Sequence, residues 1–167
     1  MENPLPHDIE LYPPETFRTL LEHEVNRSHR YGDSLSLIDL ALETDPCDTQ
    51  ALHSAEVFTI NILNLHLRNT DIPCKKGNEF MILMPASGIQ GARTACERLT
   101  KLMSIEPQTY DRVSFKLSVF IGLAALPYDR SVSSDGLIQH AAQALQHART
   151  KRTKNVVSFS EIPGSFG

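Results

Sequence analysis

Carboxylates are the residues of this sequence that could carry chemistry, because its histidines and cysteines show no spacing typical of metal ligands or nucleophiles. Asp39 lies in the apolar segment 34–42, where a buried carboxylate is costly unless it binds a metal ion or a hydrogen-bond donor. Glu79 follows Gly77-Asn78, a dipeptide typical of a hairpin turn. It is either a metal or ligand contact or an ordinary glutamate at a strand edge. We expect neither thiol catalysis nor a metal site built from histidine and cysteine.

Basic residues occur in two further patterns. Arg68-Asn-Thr-Asp71 places a guanidinium three residues from a carboxylate, which on its own is most often a surface ion pair worth about 0–1 kcal/mol. The basic run 149–154 follows the last predicted helix, where positive charge complements the helix dipole and continues into a solvated loop. The alternative for this run is a triphosphate clamp or a surface that faces a partner.

The composition indicates one intracellular domain. The chain has 167 residues, of which 41% are hydrophobic and 22% are charged, which suits a packed core and excludes a disordered chain. No apolar run approaches the ~20 residues of a membrane-spanning helix, and the N-terminus lacks the apolar region of a signal peptide. A net charge of −4 argues against a surface for duplex DNA. We therefore predict a cytoplasmic location, with no DNA and no direct membrane contact.

Hydrophobic periodicity predicts helices that alternate with strands, which is an α/β (α+β) fold with helices packed on a mixed sheet. The segment 48–67 fits both a helix and a strand, and its length favours the helix. Ser87 is expected to cap the helix after the hairpin. The predicted helices cover 14–29, 48–67, 88–103 and 135–149, and the predicted strands cover 34–42, 72–74, 79–84, 113–121 and 156–157.

The segment Asp71–Pro85, DIPCKKGNEFMILMP, resembles the signature hairpin of GGDEF domains, the diguanylate cyclases of bacterial signalling. Other segments resemble further blocks of this family in the same order, namely residues 30–32, 118–122, 141–149 and 154–157. The resemblance covers residues 11–160 and implies a mainly antiparallel sheet similar to the nucleotidyl cyclase or ferredoxin-like palm. Residues 1–10 and 161–167 are then expected to be a flexible N-terminus and a flexible C-terminal tail.

The resemblance also implies what the chain has lost. Active GGDEF domains condense two GTP molecules into cyclic di-GMP, using carboxylates on Mg²⁺ and glycines that let the backbone approach the nucleotide. In this sequence Lys76 stands at the first glycine position and Ala41 at the second aspartate position of the strand. We therefore expect a catalytically inactive member that requires no cofactor, with Mg²⁺ only if some GTP binding remains. The vestigial active-site residues are Asp39, Gly77, Asn78 and Glu79.

Arg68 and Asp71 match the Arg-x-x-Asp motif at which product-inhibited GGDEF domains bind cyclic di-GMP. The resemblance implies that Arg98, on the helix after the hairpin, completes this site. A carboxylate can accept from guanine N1–H and N2–H₂, and a guanidinium can donate to O6 and N7 or to a phosphate. We therefore expect cyclic di-GMP as the ligand of Arg68, Asp71 and Arg98, although the spacing from Asp71 to Phe80 is one residue shorter than in the family pattern.

The expected function is that of a receptor that binds cyclic di-GMP and passes the signal to a protein partner or a neighbouring domain. One alternative is a protein-interaction or dimerisation module that keeps the cyclase fold but binds no nucleotide, for example as a homodimer. The other is a weak residual cyclase or GTP-binding domain that uses Asp39, Glu79 and the basic run. The sequence is also compatible with one domain of a larger, membrane-associated protein.

Overall fold

The computed structural model describes residues 11–104, 108–110, 112–126 and 132–163. The predicted flexible N-terminus 1–10 and residues 164–167 of the predicted flexible tail 161–167 lie outside them. None of the helices in these residues is long and apolar enough to span a membrane. In chain order, the elements are α1 (Pro14–Tyr31), β1 (Leu35–Asp45), α2 (Thr49–His66), β2 (Ile72–Lys76), β3 (Glu79–Pro85), α3 (Ile89–Met103), β4 (Gln108–Tyr110), β5 (Val113–Ala125), α4 (Ser134–Lys151), β6 (Val156–Ser158) and a 3₁₀ turn (Phe159–Glu161).

β1 is the central strand of a six-stranded sheet with the order β2-β3-β1-β5-β4. Neighbours along this path are antiparallel, whereas β6 pairs in parallel with β5. α2 and α3 cover one face of the sheet, and α1 and α4 cover the other. This arrangement confirms the predicted mixed, mainly antiparallel sheet flanked by helices.

Alternation along β1 divides its side chains between two cores. Ile38 and Leu40 pack toward α2 and α3, whereas Leu35 and Leu37 pack toward α1 and α4. Asp39 shares the face of Leu37 and is only 3% exposed. A carboxylate therefore lies in the mainly apolar layer between the sheet and the helices α1 and α4.

The segment that fitted both a helix and a strand is the helix α2. It begins after Asp48, whose carboxylate accepts a hydrogen bond from the backbone N–H of Ala51 at 2.7 Å. Small residues such as Ala51 and Ala55 face the sheet, while the β-branched Val57 is only half-buried. Among the β-branched residues that favoured a strand, Thr59 is fully buried and donates its hydroxyl to Ala55 O at 2.7 Å, whereas Val57, Ile60 and Ile62 are half-buried.

One local prediction is wrong, and one strand was missed. The N-cap of α3 is Gly88 rather than Ser87, and no side chain caps this helix. Ser87 instead accepts a hydrogen bond from Arg68, a residue that lies far from it in the sequence. β4 was not predicted, because three residues are too few to show a period.

The chain after β6 is held against two helices. Phe159 stacks on His140 of α4, with the ring centroids 3.8 Å apart. Glu161 forms an ion pair with Arg93 of α3 and another, at 3.5 Å, with Lys154. These contacts attach the 3₁₀ turn to the rest of the domain.

α4 approaches the sheet closely at Gly122 of β5. A Cβ atom at this position would lie 2.2 Å from the carbonyl oxygen of Ala141 and 2.3 Å from the amide nitrogen of Leu145. Gly122 is paired with Asp39 in the neighbouring strand β1. Only glycine permits this approach, so α4 packs with its backbone directly over the sheet beside Asp39.

Replacing Gly122 with alanine is expected to lower the free energy of unfolding by about 3 kcal/mol, because the added methyl group meets backbone atoms that move only if α4 moves. Gly91 is the matched control, since a Cβ atom there meets nothing within 4 Å. G91A should raise the stability by up to about 1 kcal/mol through helix propensity. Urea unfolding measures both, and equal effects would contradict the close packing of α4.

Candidate functional site

Asp39 and Glu79 lie on the same face of the sheet in neighbouring strands. Glu79 of β3 is paired with Ala41 of β1, and Asp39 is paired with Met81, so the two carboxylates are diagonal neighbours. Burial, together with the charge of Glu79 and a hydrogen bond to it, raises the pKa of Asp39 to about 7. Asp39 Oδ1 is buried without a hydrogen-bond partner among the described residues. Asp39 therefore remains partly protonated near neutral pH.

The residues around Asp39 do not fit the Mg²⁺ that the resemblance implies for active members. Magnesium demands a full set of oxygen ligands. The described part of the chain contains no group of three or more His, Cys, Asp or Glu side chains that could hold a metal ion. Lys76 and Arg149 also place positive charge near Asp39, where they oppose the rise of its pKa. Ala41, at the position between Asp39 and Glu43 on this face, supplies no ligand.

Glu43 lies further along the same face of β1, where it pairs with two arginines at the C-terminal end of α4. Arg149 Nε is 3.5 Å from Glu43 Oε2, and Arg152 Nη1 lies 3.2 Å from Oε1 and 3.3 Å from Oε2. The Arg152 guanidinium also lies over the ring of Phe120, 4.7 Å from its centroid. Two members of the basic run 149–154 are thus paired with an acidic residue of the sheet.

Acidic and basic residues balance in this region. Three carboxylates face three cations and Asp39 is partly protonated near neutral pH, so the region lacks the excess negative charge that favours a divalent cation. The carboxylates neutralise most of the positive charge that would favour a triphosphate. We call this region the sheet-edge cluster, where the edge is the end of the sheet toward which β1 runs rather than an outer strand. Its members are Asp39, Glu43, Lys76, Glu79, Arg149 and Arg152.

The Arg68–Asp71 pair lies between α2 and β2 and is joined by several hydrogen bonds. Asp71 Oδ2 accepts from the backbone N–H of Arg68 at 2.8 Å, and Oδ1 accepts from Arg68 Nη2 at 3.1 Å. Arg68 Nη2 also donates to Ser87 Oγ at 2.5 Å and to Pro85 O at 3.4 Å. The Asp71 side chain is 3% exposed, whereas the Arg68 side chain is 55% exposed. The carboxylate is therefore directed at the arginine, and the arginine is accessible from solvent.

Arg98 lies on the exposed surface of α3, outside the buried stripe of that helix. It is nine residues beyond the first residue of α3, or roughly 14 Å along the helix axis. No hydrogen bond or ion pair joins Arg98 to Arg68 or Asp71 in the part of the chain that the structure describes. The structure thus brings two of the three predicted ligand-binding residues together.

Glu43 and Ser87 contribute to these sites and were not predicted from the sequence. The sequence could have indicated Glu43, because residues 39, 41 and 43 of a strand share one face. No sequence pattern indicated the contact of Ser87, since its partner Arg68 is 19 residues away in the chain.

Comparison with protein families gives a match over more than half of the chain. The family model described as "Diguanylate cyclase, GGDEF domain" matches residues 58–155. This range contains Arg68, Asp71, the β2–β3 hairpin and Arg98. A comparison with curated protein sequences finds no match.

Several solved structures share the fold at low sequence identity. The GGDEF domain of DgcB from Caulobacter crescentus, in complex with c-di-GMP, has a TM-score of 0.81 and 14% identity and covers 96% of this chain and 97% of that chain. The FimX GGDEF domain from Pseudomonas aeruginosa has a TM-score of 0.77 and 15% identity and covers 95% and 99%. Diguanylate cyclase SiaD from Pseudomonas aeruginosa, in complex with its activator SiaC, has a TM-score of 0.77 and 19% identity and covers 89% and 58%.

The stability of the domain is expected to depend on pH through Asp39. Its pKa in the folded chain, about 7, exceeds its ordinary value of 3.8, so the folded state binds more protons than the unfolded state between these pH values. The contribution of Asp39 to the free energy of unfolding therefore falls as the pH rises from about 4 to about 7, by at most about 1.4 kcal/mol per pH unit. The variant D39N cannot titrate here and should become more stable relative to the wild type as the pH rises.

Urea unfolding of both proteins at pH 4 and pH 8 measures this difference. E97Q is the matched control, because it removes a carboxylate from the exposed side of α3. A stability difference between D39N and the wild type that is the same at both pH values would contradict the raised pKa.

Proposed function

Because the chain belongs to the GGDEF family, we propose that it binds cyclic di-GMP at Arg68 and acts as a receptor rather than as a diguanylate cyclase. The observation that carries this proposal is that the Arg68 guanidinium is hydrogen-bonded to Asp71 while 55% of the Arg68 side chain stays exposed. The residues of this site are separate from the sheet-edge cluster, so ligand binding does not require a working cyclase centre.

Arg68 has the chemistry to recognise a guanine edge or a phosphate. Its side-chain hydrogen bonds to Asp71, Pro85 and Ser87 all use Nη2. Nη1 and Nε are then the donors that would contact guanine O6 and N7 or a phosphate oxygen, and the planar face of the guanidinium can stack on the base. Because Asp71 already restricts the side chain, Arg68 loses less conformational freedom on binding.

Asp71 is the residue that positions Arg68 in this proposal. Its side chain is buried and accepts two hydrogen bonds from Arg68, one from the backbone and one from the guanidinium. Arg98 offers a second, exposed guanidinium on α3, which would contact another part of the same dianionic ligand. The GGDEF domain of DgcB in complex with c-di-GMP supports this class of ligand.

Two features of the sheet-edge cluster support an inactive cyclase centre. Phosphoryl transfer in this family depends on metal-bound carboxylates, and Ala41 and Asn78 add no further carboxylate to Asp39 and Glu79. The second feature is the balanced charge of the cluster, in which Glu43 already pairs with two arginines. Neither feature affects the Arg68 site.

We further propose that the signal passes to a protein partner or a neighbouring domain. The structure of SiaD in complex with its activator SiaC supports a protein partner for a relative of this kind. Among the described residues, Leu65 of α2 is the most exposed of the large apolar side chains, at 76%. That exposure is the observation that would favour the alternative of an interaction module that binds no nucleotide.

Calorimetry with cyclic di-GMP tests the ligand site. The wild type should bind, and R68A should bind roughly 10- to 100-fold more weakly, because it loses charge-assisted hydrogen bonds worth about 1.5–3 kcal/mol. R98A should weaken binding as well, with less risk to folding, because Arg98 is exposed. R27A is the matched control, since Arg27 is an exposed arginine of α1 that pairs with Asp33.

The melting temperature of each variant shows whether it has folded. Equal affinity of the wild type and R68A would contradict the proposed site. Absence of binding to the wild type, with no thermal shift at any ligand concentration, would favour the interaction module.

A turnover assay with GTP and Mg²⁺ or Mn²⁺ tests the proposed loss of cyclase activity. The wild type should give no more product than D39A, because the carboxylate pair does not form a metal site. Turnover by the wild type above the level of D39A would show a residual cyclase.

A further inference from the structure

Ser87 contacts the Arg68 guanidinium from a different segment of the chain than Asp71 does. Its Oγ accepts a hydrogen bond from Arg68 Nη2 at 2.5 Å, and the carbonyl oxygen of Pro85 lies 3.4 Å from the same nitrogen. Asp71 Oδ1, in the loop between α2 and β2, accepts from Nη2 at 3.1 Å. Because Nη2 carries two hydrogens, acceptors from two separate segments share its whole donor capacity.

Acceptors in two places fix the plane of the guanidinium, whereas one acceptor leaves the group free to turn about a single hydrogen bond. The five N–H donors of an arginine lie in one rigid plane. When both hydrogens of Nη2 are bound, the directions of Nη1 and Nε are therefore set as well. These two nitrogens are the donors that the proposed function assigns to the ligand, so the contact with Ser87 determines where they point.

Ser87 is itself held in place by the central strand β1. The hydroxyl of Ser36 in β1 is fully buried and donates to the Ser87 carbonyl oxygen at 2.8 Å. Ala86, between Pro85 and Ser87, has a left-handed backbone conformation with φ of 60°. A buried hydroxyl that needs a partner and a backbone conformation that few non-glycine residues adopt both restrict this turn. The turn thus holds the two oxygen atoms that contact Arg68 in a defined position.

We propose that Ser87 is a positioning residue of the cyclic di-GMP site, which orients Arg68 for the ligand without contacting the ligand itself. This inference rests on the proposed function, because it concerns the same arginine. Asp71 supplies the charge that pairs with the guanidinium, and Ser87 supplies the second acceptor that fixes its orientation. A side chain that is oriented before binding loses less conformational freedom on binding, so removal of the Ser87 hydroxyl should lower the affinity.

Calorimetry with cyclic di-GMP measures this effect. S87A should bind roughly three- to tenfold more weakly than the wild type, because the guanidinium then turns more freely. S87T keeps the hydroxyl at a half-buried position and should bind like the wild type. S104A is the matched control, since it removes an exposed serine hydroxyl at the other end of α3. Melting temperatures show whether each variant has folded.

The double variant R68A/S87A separates positioning from a general effect on the fold. It should bind no more weakly than R68A, because Ser87 acts only through the Arg68 side chain. A further loss of affinity when S87A is added to R68A would overturn the proposal. Equal affinities of S87A and the wild type would overturn it as well.

The orientation of Arg68 can also be measured without ligand. In protein whose arginines carry ¹⁵N, the guanidinium signals of Arg68 are identified by their absence in R68A. Rotation about the Nε–Cζ bond should be slower in the wild type than in S87A, and equal rates would contradict the positioning role. If the rates differ but the wild type binds no cyclic di-GMP, the proposed function fails, and the role of Ser87 in binding fails with it.

Discussion

The backbone contact between α4 and β5 at Gly122 determines most of the geometry of the sheet-edge cluster. Because no side chain separates helix from strand there, α4 lies close to the sheet, and Asp39, which is paired with Gly122, is excluded from water. The same placement carries the C-terminal end of α4 over Phe120 and toward Glu43. The burial that contributes most to the raised pKa of Asp39 and the ion pairs of Glu43 therefore have one steric cause.

The ion pairs of Arg68 and of Glu43 differ in which partner is exposed to solvent. At Arg68 the acceptor is buried and the guanidinium is exposed, so the acceptor orients a cation toward solvent. At Glu43 a half-exposed acceptor satisfies two cations at once, so little positive charge remains for a ligand. Similar side chains thus leave a guanidinium accessible in one place and neutralise two guanidinium groups in the other, and the difference depends on the burial of the carboxylate and on the number of its arginine partners.

Patterns that extend over a few residues were sufficient to predict the four helices and every strand except β4. Gly77 was predicted to supply the turn of the hairpin and has a φ of 60°, and Asp39 was singled out because its strand is otherwise apolar. Contacts between distant parts of the chain were not predictable, such as the bond from Arg152 to Glu43, which spans 109 residues. Periodicity indicates the face of a strand, but it does not indicate which helix covers that face. The ligand role of Arg98 stays a prediction for the same reason.

One nitrogen atom of Arg68 connects two loops, because Nη2 donates to Asp71 in the α2–β2 loop and to Ser87 just before α3. α3 has no side-chain cap at its N-terminus, and Ser87 is followed directly by its N-cap residue Gly88. The Arg68 side chain therefore restrains the segment directly before the first turn of α3. Loss of this one hydrogen bond would loosen a helix end without any rearrangement of the sheet.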